Sequence, residues 1–268
     1  MEDLPMTFIA AMDHSGGSTG GVLERYKQEY TEENKMEHVH AMRMRMVSSP
    51  DFNRDNIWAA ILYQDTVERG MVPILTELSI EAYLKIDSGC ESDGTLKEFD
   101  VTAMKQYAIE NGCTGTKMRS IVKDIHMVNP ILNQQFKLAE EIYCWELMPI
   151  VEPEVPIEHP RKGDIEQVLV AYLKSKLDTF NGKCILKLTL PEVPNLYRDL
   201  MDHPNVHKIV GLSGGYNTQE ACRRLTQNEG MTASFSRALS ESLFAHQSDD
   251  EFDMTMSINI AHIVEAGR

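Results

Sequence analysis

The stretch "CILKLTL", residues 184–190, sets a lysine in the middle of a run that otherwise reads as a buried strand. A strand alternates its faces with period two, so Cys184, Leu186, Leu188 and Leu190 share one face while Ile185, Lys187 and Thr189 share the other. Lys187 is then either an edge-strand lysine that discourages association or a side chain aimed into an enclosed polar space. Seven further runs of the same kind bear on that choice: 7–13, 57–63, 82–87, 115–122, 147–155, 207–214 and 232–239. Helix-compatible segments separate them, such as 131–146 and 163–180, with apolar residues at helical spacing, and "PEVPN" (191–195) and "DHPNVH" (202–207) supply turn chemistry. Strand-then-helix alternation predicts a parallel sheet, and eight repeats predict its closure. The expected fold is α/β, a single-domain (β/α)8 TIM barrel over residues 1–268, a length close to the roughly 250 typical of that fold.

Polar residues recur late in these runs: Asp13, Lys85 with Asp87, Lys117 with Arg119, Glu152 with Glu154, Lys187, Ser213 and Arg237. Paired members are two residues apart and so share a face. Barrel interiors fill with branched apolar residues and barrel active sites lie at the C-terminal strand ends, so this recurrence predicts one polar cavity holding charges of both signs. A lysine desolvated there among Lys85, Lys117 and Arg119 can present a neutral amine, which attacks a carbonyl carbon to form a Schiff base. Glu152, one strand earlier, is the candidate proton shuttle, and Asp13 the candidate base toward substrate.

An anion site is expected at the last two strands. "LSGGYN" (212–217) brings Ser213, Gly214 and Gly215 to a strand-to-helix turn, and "SFSRAL" (234–239) adds Ser236 and Arg237. "DHSGGSTGG" (13–21) supplies Ser15 and Ser18 but lacks the ending of a nucleotide-binding P-loop. Two phosphate cradles facing one amine point to a substrate phosphorylated at both ends.

Composition excludes several other classes. A net charge of −15, from 26 basic and 41 acidic residues, argues against a nucleic-acid partner. Five scattered cysteines without CxxC spacing read as reduced thiols, with Cys184 as core filler. "EHVHAMR" (37–43) offers two histidines at i, i+2, which point apart on a helix, so no metal site is expected. The opening residues do not read as a signal peptide and no apolar run reaches membrane-spanning length. A cytoplasmic protein with no membrane partner is expected, and a homo-oligomer is compatible with this reading.

Taken together, "FIAAMDHSGGST" (8–19), "KIDSG" (85–89), "GTKMRS" (115–120), "PIVEPEV" (149–155), "LKLTLPEVPNLY" (186–197), "LSGGY" (212–216) and "ASFSRAL" (233–239) resemble class I fructose-bisphosphate aldolases, most closely the bacterial-type branch. The resemblance implies metal-independent, reversible cleavage of fructose 1,6-bisphosphate with no cofactor beyond the covalent Schiff base on Lys187. It implies Glu152 as proton shuttle, Asp13 and Lys117 in the carbinolamine and C–C cleavage steps, and Arg119 near the same pocket. It also implies Ser213, Gly214, Ser236 and Arg237 at the phosphate beside the ketone, and Ser15, Ser18 and Lys85 at the far phosphate. Three departures bear on the far phosphate and on substrate preference: Ser88 replaces a family lysine, His14 a glutamine and Gln64 a glutamate. His14 alternates away from Asp13 on the strand and is read as a packing residue or a support to the site residues, in preference to an aid to Asp13. The competing readings are another Schiff-base barrel aldolase with a different phosphorylated sugar, and a catalytically silent barrel kept as a binding protein.

Overall fold

Aliphatic and β-branched residues dominate the eight runs, and in the computed structural model all but the last are extended over most of their length. The structure describes residues 7–15 and 17–268, the side chains of 17 and 18 excepted. Its strands are β1 (Phe8–Met12), β2 (Ile57–Leu62), β3 (Glu81–Lys85), β4 (Gly115–Ile121), β5 (Met148–Glu154), β6 (Cys184–Thr189), β7 (Val206–Leu212) and β8 (Thr232–Ala233). Helices α1 (Gly17–Arg25) and α2 (Lys35–Val47) follow β1, and α3 (Gln64–Glu68) and α4 (Met71–Glu77) follow β2. Then come α5 (Val101–Glu110), α6 (Val128–Tyr143), α7 (Lys162–Thr179), α8 (Arg198–Met201) and α9 (Thr218–Leu225), one after each of β3 to β7. The helices α10 (Arg237–Ser240) and α11 (Asp249–Ala266) close the described chain.

All eight strands pair in parallel in the order β1 to β8. A backbone bond from Ala11 N–H to Phe235 O, 3.3 Å, brings the end of the sheet back to its start. This is the expected (β/α)8 barrel. The alternation in β6 divides two cores: Cys184, Leu186 and Leu188 join the large layer between sheet and helices, and Ile185 joins a smaller cluster inside the barrel with Ile9, Tyr83, Ile150 and Val210. Gly115 is required beside that inner cluster, because a Cβ there would lie 2.3 Å from Met148 O and 2.4 Å from the Tyr83 ring. Among the described residues no helix is long and apolar enough to cross a membrane.

The last strand departs from expectation. Residues 232–239 read as one run, yet β8 ends at Ala233 and residues 237–240 form a helical turn. Ser234 N–H still bonds Gly211 O at 2.8 Å, and the Phe235 carbonyl accepts from Ala11, after which no ladder partner holds the chain extended. Arg237 therefore opens a helix instead of ending a strand. The acidic stretch 248–253 is the start of α11, as read, with Ser248 and Glu251 forming a capping box.

Candidate active site

Four strands, β3 to β6, deliver charged side chains to one cavity of about 370 Å³ at the C-terminal mouth of the barrel. Its floor is set by register. Lys117 on β4 lies level with Ile150 on β5, so Glu152 stands two residues farther up and level with Arg119. That offset lets Glu152 bridge two lysines from flanking strands: Oε1 is 3.2 Å from Lys187 Nζ and Oε2 is 3.1 Å from Lys117 Nζ. Asp13, just beyond β1, completes the row at 2.6 Å from Lys117. Lys117, Glu152 and Lys187 are each under 5 % exposed, so water screens little of this charge.

The charges set one another's protonation. Burial alone pushes the Asp13 carboxyl up, but Lys117 and Lys187 outweigh it and hold Asp13 far below the usual carboxylate range. Glu152 is likewise lowered, against its own burial, by the same two lysines. Burial pulls the Lys117 ammonium down, and Asp13, Glu152 and Asp87 together carry it well above its ordinary value. Lys117 is therefore a fixed cation among three carboxylates. Beneath Glu152, buried Gln135 donates to its carbonyl at 3.3 Å and to Ser120 Oγ at 2.7 Å, which ties the strand to α6.

The expected crowd of cations around Lys187 is instead an alternating array. Lys85 faces Asp87 at 3.6 Å, and Arg119 is ion-paired with Glu154. Glu154 thus serves a salt bridge to Arg119. Lys187 shares its carboxylate, Glu152, with Lys117, just as Lys85 shares Asp87 with Lys117 at 3.9 Å.

The anion-binding candidates lie on two sides of this row. Ser213, Gly214, Gly215, Ser236 and Arg237 all line the cavity. Gly214 and Gly215 take φ of +58° and +114°, the left-handed region that favours glycine, and so turn the backbone after β7. Arg237 donates from Nη1 to Gly215 O at 2.7 Å, linking the loops of β7 and β8. On the opposite side Lys85 Nζ donates to Ser15 Oγ at 2.7 Å. That lysine lines the cavity and so ties Ser15 to it, and the Ser18 side chain lies outside the described residues.

Asp87, expected in the cavity beside Lys85 but given no role, lines it, and several other lining residues escaped the sequence reading. Ser234 was legible by alternation with Ser236; it lines the cavity, and its buried hydroxyl has no hydrogen-bond partner among the described residues. Arg25, on α1, carries no local signal, yet it borders the cavity and its guanidinium is affected, after burial, by the Arg237 charge. Of the roles expected for His14, the structure favours support of a site residue over packing alone. Strand β1 ends at Met12, so alternation no longer governs position 14, and the ring lines the cavity with Nε2 3.3 Å from Ser236 Oγ. Burial lowers its pKa to about 4, so the imidazole is neutral at pH 7.

No family model matches the chain. Among solved structures, the chain is similar to a fructose-bisphosphate aldolase from Plasmodium falciparum, with a TM-score of 0.76 and 20% identity over 97% of this chain and 90% of that one. It is similar to Cgl0159 from Corynebacterium glutamicum, with a TM-score of 0.60 and 15% identity over 99% and 86% of the two chains. An archaeal fructose 1,6-bisphosphate aldolase matches with a TM-score of 0.60 and 7% identity over 99% and 96%. At these identities the likeness is one of fold, and it extends over nearly the whole of each chain.

Proposed function

We propose that this chain is a Schiff-base aldolase that cleaves fructose 1,6-bisphosphate reversibly to dihydroxyacetone phosphate and glyceraldehyde 3-phosphate. One observation carries the reading: Glu152 sits between Lys187 and Lys117, 3.2 and 3.1 Å away, with Asp13 on the far side of Lys117. Transfer of a proton from Lys187 to Glu152 across their contact produces together the neutral amine and the carboxylic acid that imine formation requires. The amine adds to the ketone carbon, the carbinolamine hydroxyl takes the Glu152 proton and leaves as water, and a cationic iminium remains. Asp13, held ionised by its lysine neighbours, accepts the proton of the C4 hydroxyl. The C3–C4 bond then breaks, its electron pair passes to the iminium as an enamine, and the aldehyde departs. Protonation of the enamine at C3 and hydrolysis of the iminium release the second product. The arrays at Ser213–Arg237 and at Ser15–Lys85 support a phosphate at each end of the substrate.

Borohydride reduction in the presence of dihydroxyacetone phosphate tests this assignment. The expected result is one reduced adduct mapping to the peptide that contains Lys187. An adduct on Lys85 or Lys117, or none, overturns it. Turnover of the bisphosphate measured against single-phosphate ketoses separates this substrate from its relatives.

A further inference from the structure

The pairing of β1 with β2 ends at Met12, opposite Leu62, and among the described residues no ladder bond fixes the backbone that carries Asp13. Something else must hold it, because Asp13 is placed 2.6 Å from Lys117 and its position sets where a proton can be accepted. The side chain that donates to the backbone next to Asp13 is that of Arg43 on α2. Its side chain is 3 % exposed, its Nη2 donates to His14 O at 2.8 Å, and its Nη1 bonds closely to Thr66 Oγ1 on α3. Among the described residues no carboxylate lies within ion-pair distance of it.

A buried guanidinium without a paired carboxylate is costly, and an apolar residue of similar volume would serve packing better. Val39, Met42 and Met46 beside it make that alternative concrete; they line a cavity of about 20 Å³, room for about one water, with Arg43 and His14. The peptide that Arg43 grips is also specific. His14 stands between Asp13, which contacts Lys117, and Ser15, which accepts from Lys85. One donor thus immobilises the centre of a three-residue segment whose two outer side chains each meet a cavity lysine. Thr66 completes the arrangement by fixing the other arm of the fork.

We propose that Arg43 is a positioning residue for Asp13, clamping the His14 carbonyl between α2 and α3 and thereby holding the Asp13 carboxylate at the C–C cleavage step. This rests on the aldolase reading above, in which Asp13 acts after the imine has formed. Arg43 is not among the residues that line the cavity at the barrel mouth, so its loss should spare imine formation and impair cleavage.

The test compares Arg43→Met, Arg43→Lys and Thr66→Val in the full chain, with circular dichroism and thermal melting as fold controls. In Arg43→Met, kcat for cleavage should fall about tenfold to a hundredfold, the loss expected of a misplacement near 1 Å, with KM nearly unchanged. Borohydride trapping of dihydroxyacetone phosphate on Lys187 should continue at close to the original rate. Arg43→Lys should recover part of kcat, since an ammonium can still donate to His14 O, and Thr66→Val should show the smallest loss. A folded Arg43→Met with unchanged kcat overturns the proposal, as does equal loss of trapping and cleavage. If Arg43→Met does not fold, an unchanged kcat in both Arg43→Lys and Thr66→Val overturns it. Should Lys187 of the unsubstituted protein never be trapped, the aldolase reading fails on its own. The positioning is then decided by a crystal structure of Arg43→Lys or Thr66→Val: an Asp13–Lys117 contact kept at its original length overturns it, and a displaced one supports it.

Discussion

The floor and the mouth of the barrel are built from the same strands, two residues apart. Tyr83, Ile150 and Ile185 face inward at the floor, and Lys85, Glu152 and Lys187 face inward one pleat higher. The floor is apolar, close-packed and sealed, and stabilises the sheet through area removed from water. The mouth gathers buried charges whose mutual attraction does little more than offset their desolvation. Stability and chemistry are therefore separated along each strand, and adjacent inward positions should respond to substitution in opposite ways.

The sharpest contrast is within β6. Lys187→Met should lower cleavage by roughly a thousandfold or more and abolish borohydride labelling, since no other group supplies the iminium. Its melting temperature should hold or rise slightly, because methionine keeps most of the volume and Glu152 retains Lys117. Ile185→Ala should lose about 2–4 kcal/mol of stability in denaturant unfolding, with kcat of the folded fraction within a few-fold of the original. A melting loss in Lys187→Met as large as that of Ile185→Ala would erase the distinction between floor and mouth.

Within the mouth, groups that meet the substrate should differ from groups that shape the protein. Arg237→Ala should raise KM for phosphorylated substrates by an amount worth about 2–4 kcal/mol of binding, since charge-assisted and often bidentate contacts to phosphate are lost. Its unfolding midpoint should scarcely move. An unchanged KM in steady-state assays would mean that the loop after β8 does not hold the phosphate.

His14 should give the mouth a pH dependence that the floor lacks. Burial lowers its pKa from 6.5 to about 4. Between those values the unfolded chain binds the proton and the folded chain does not, so stability rises with pH across the window and is lost as pH falls through it. The shift corresponds to at most about 3 kcal/mol. His14→Gln should flatten the stability difference between pH 4.5 and pH 7 in chemical unfolding. The depressed carboxyls of Asp13 and Glu152 add their own loss only in more acidic solution, below their ordinary values of 3.8 and 4.5. The smallest expected effect is none: cleavage measured in EDTA should match the untreated rate, because the iminium performs the carbonyl activation. Activity that disappears and returns with zinc would remove the Schiff-base assignment.

Much of the barrel was legible because its signal is local. Period-two alternation identified which face of "CILKLTL" turns inward, and the count of such runs implied closure. Run 232–239 misled, because its residues suit a strand but its carbonyls and amides run out of partners after Phe235. Lys187, Glu152, Asp13 and Lys117 could be named as inward polar residues late in their runs. Arg25 and Arg43 could not, since each sits on a helix where an arginine looks like any solvated charge.

The chain's own pattern of apolar and polar residues determined the element order, the inward faces and the list of charges at the strand ends, because burial acts residue by residue along each segment. Only the tertiary structure decided which charges meet. Lys117 pairs with Asp13 and Glu152, and Arg119 with Glu154, because the strands are staggered and β5 stands two residues out of level with β4 at the cavity floor. Coulombic contacts a few ångströms long depend on that stagger and on where each ladder ends, quantities set by closure of the whole sheet.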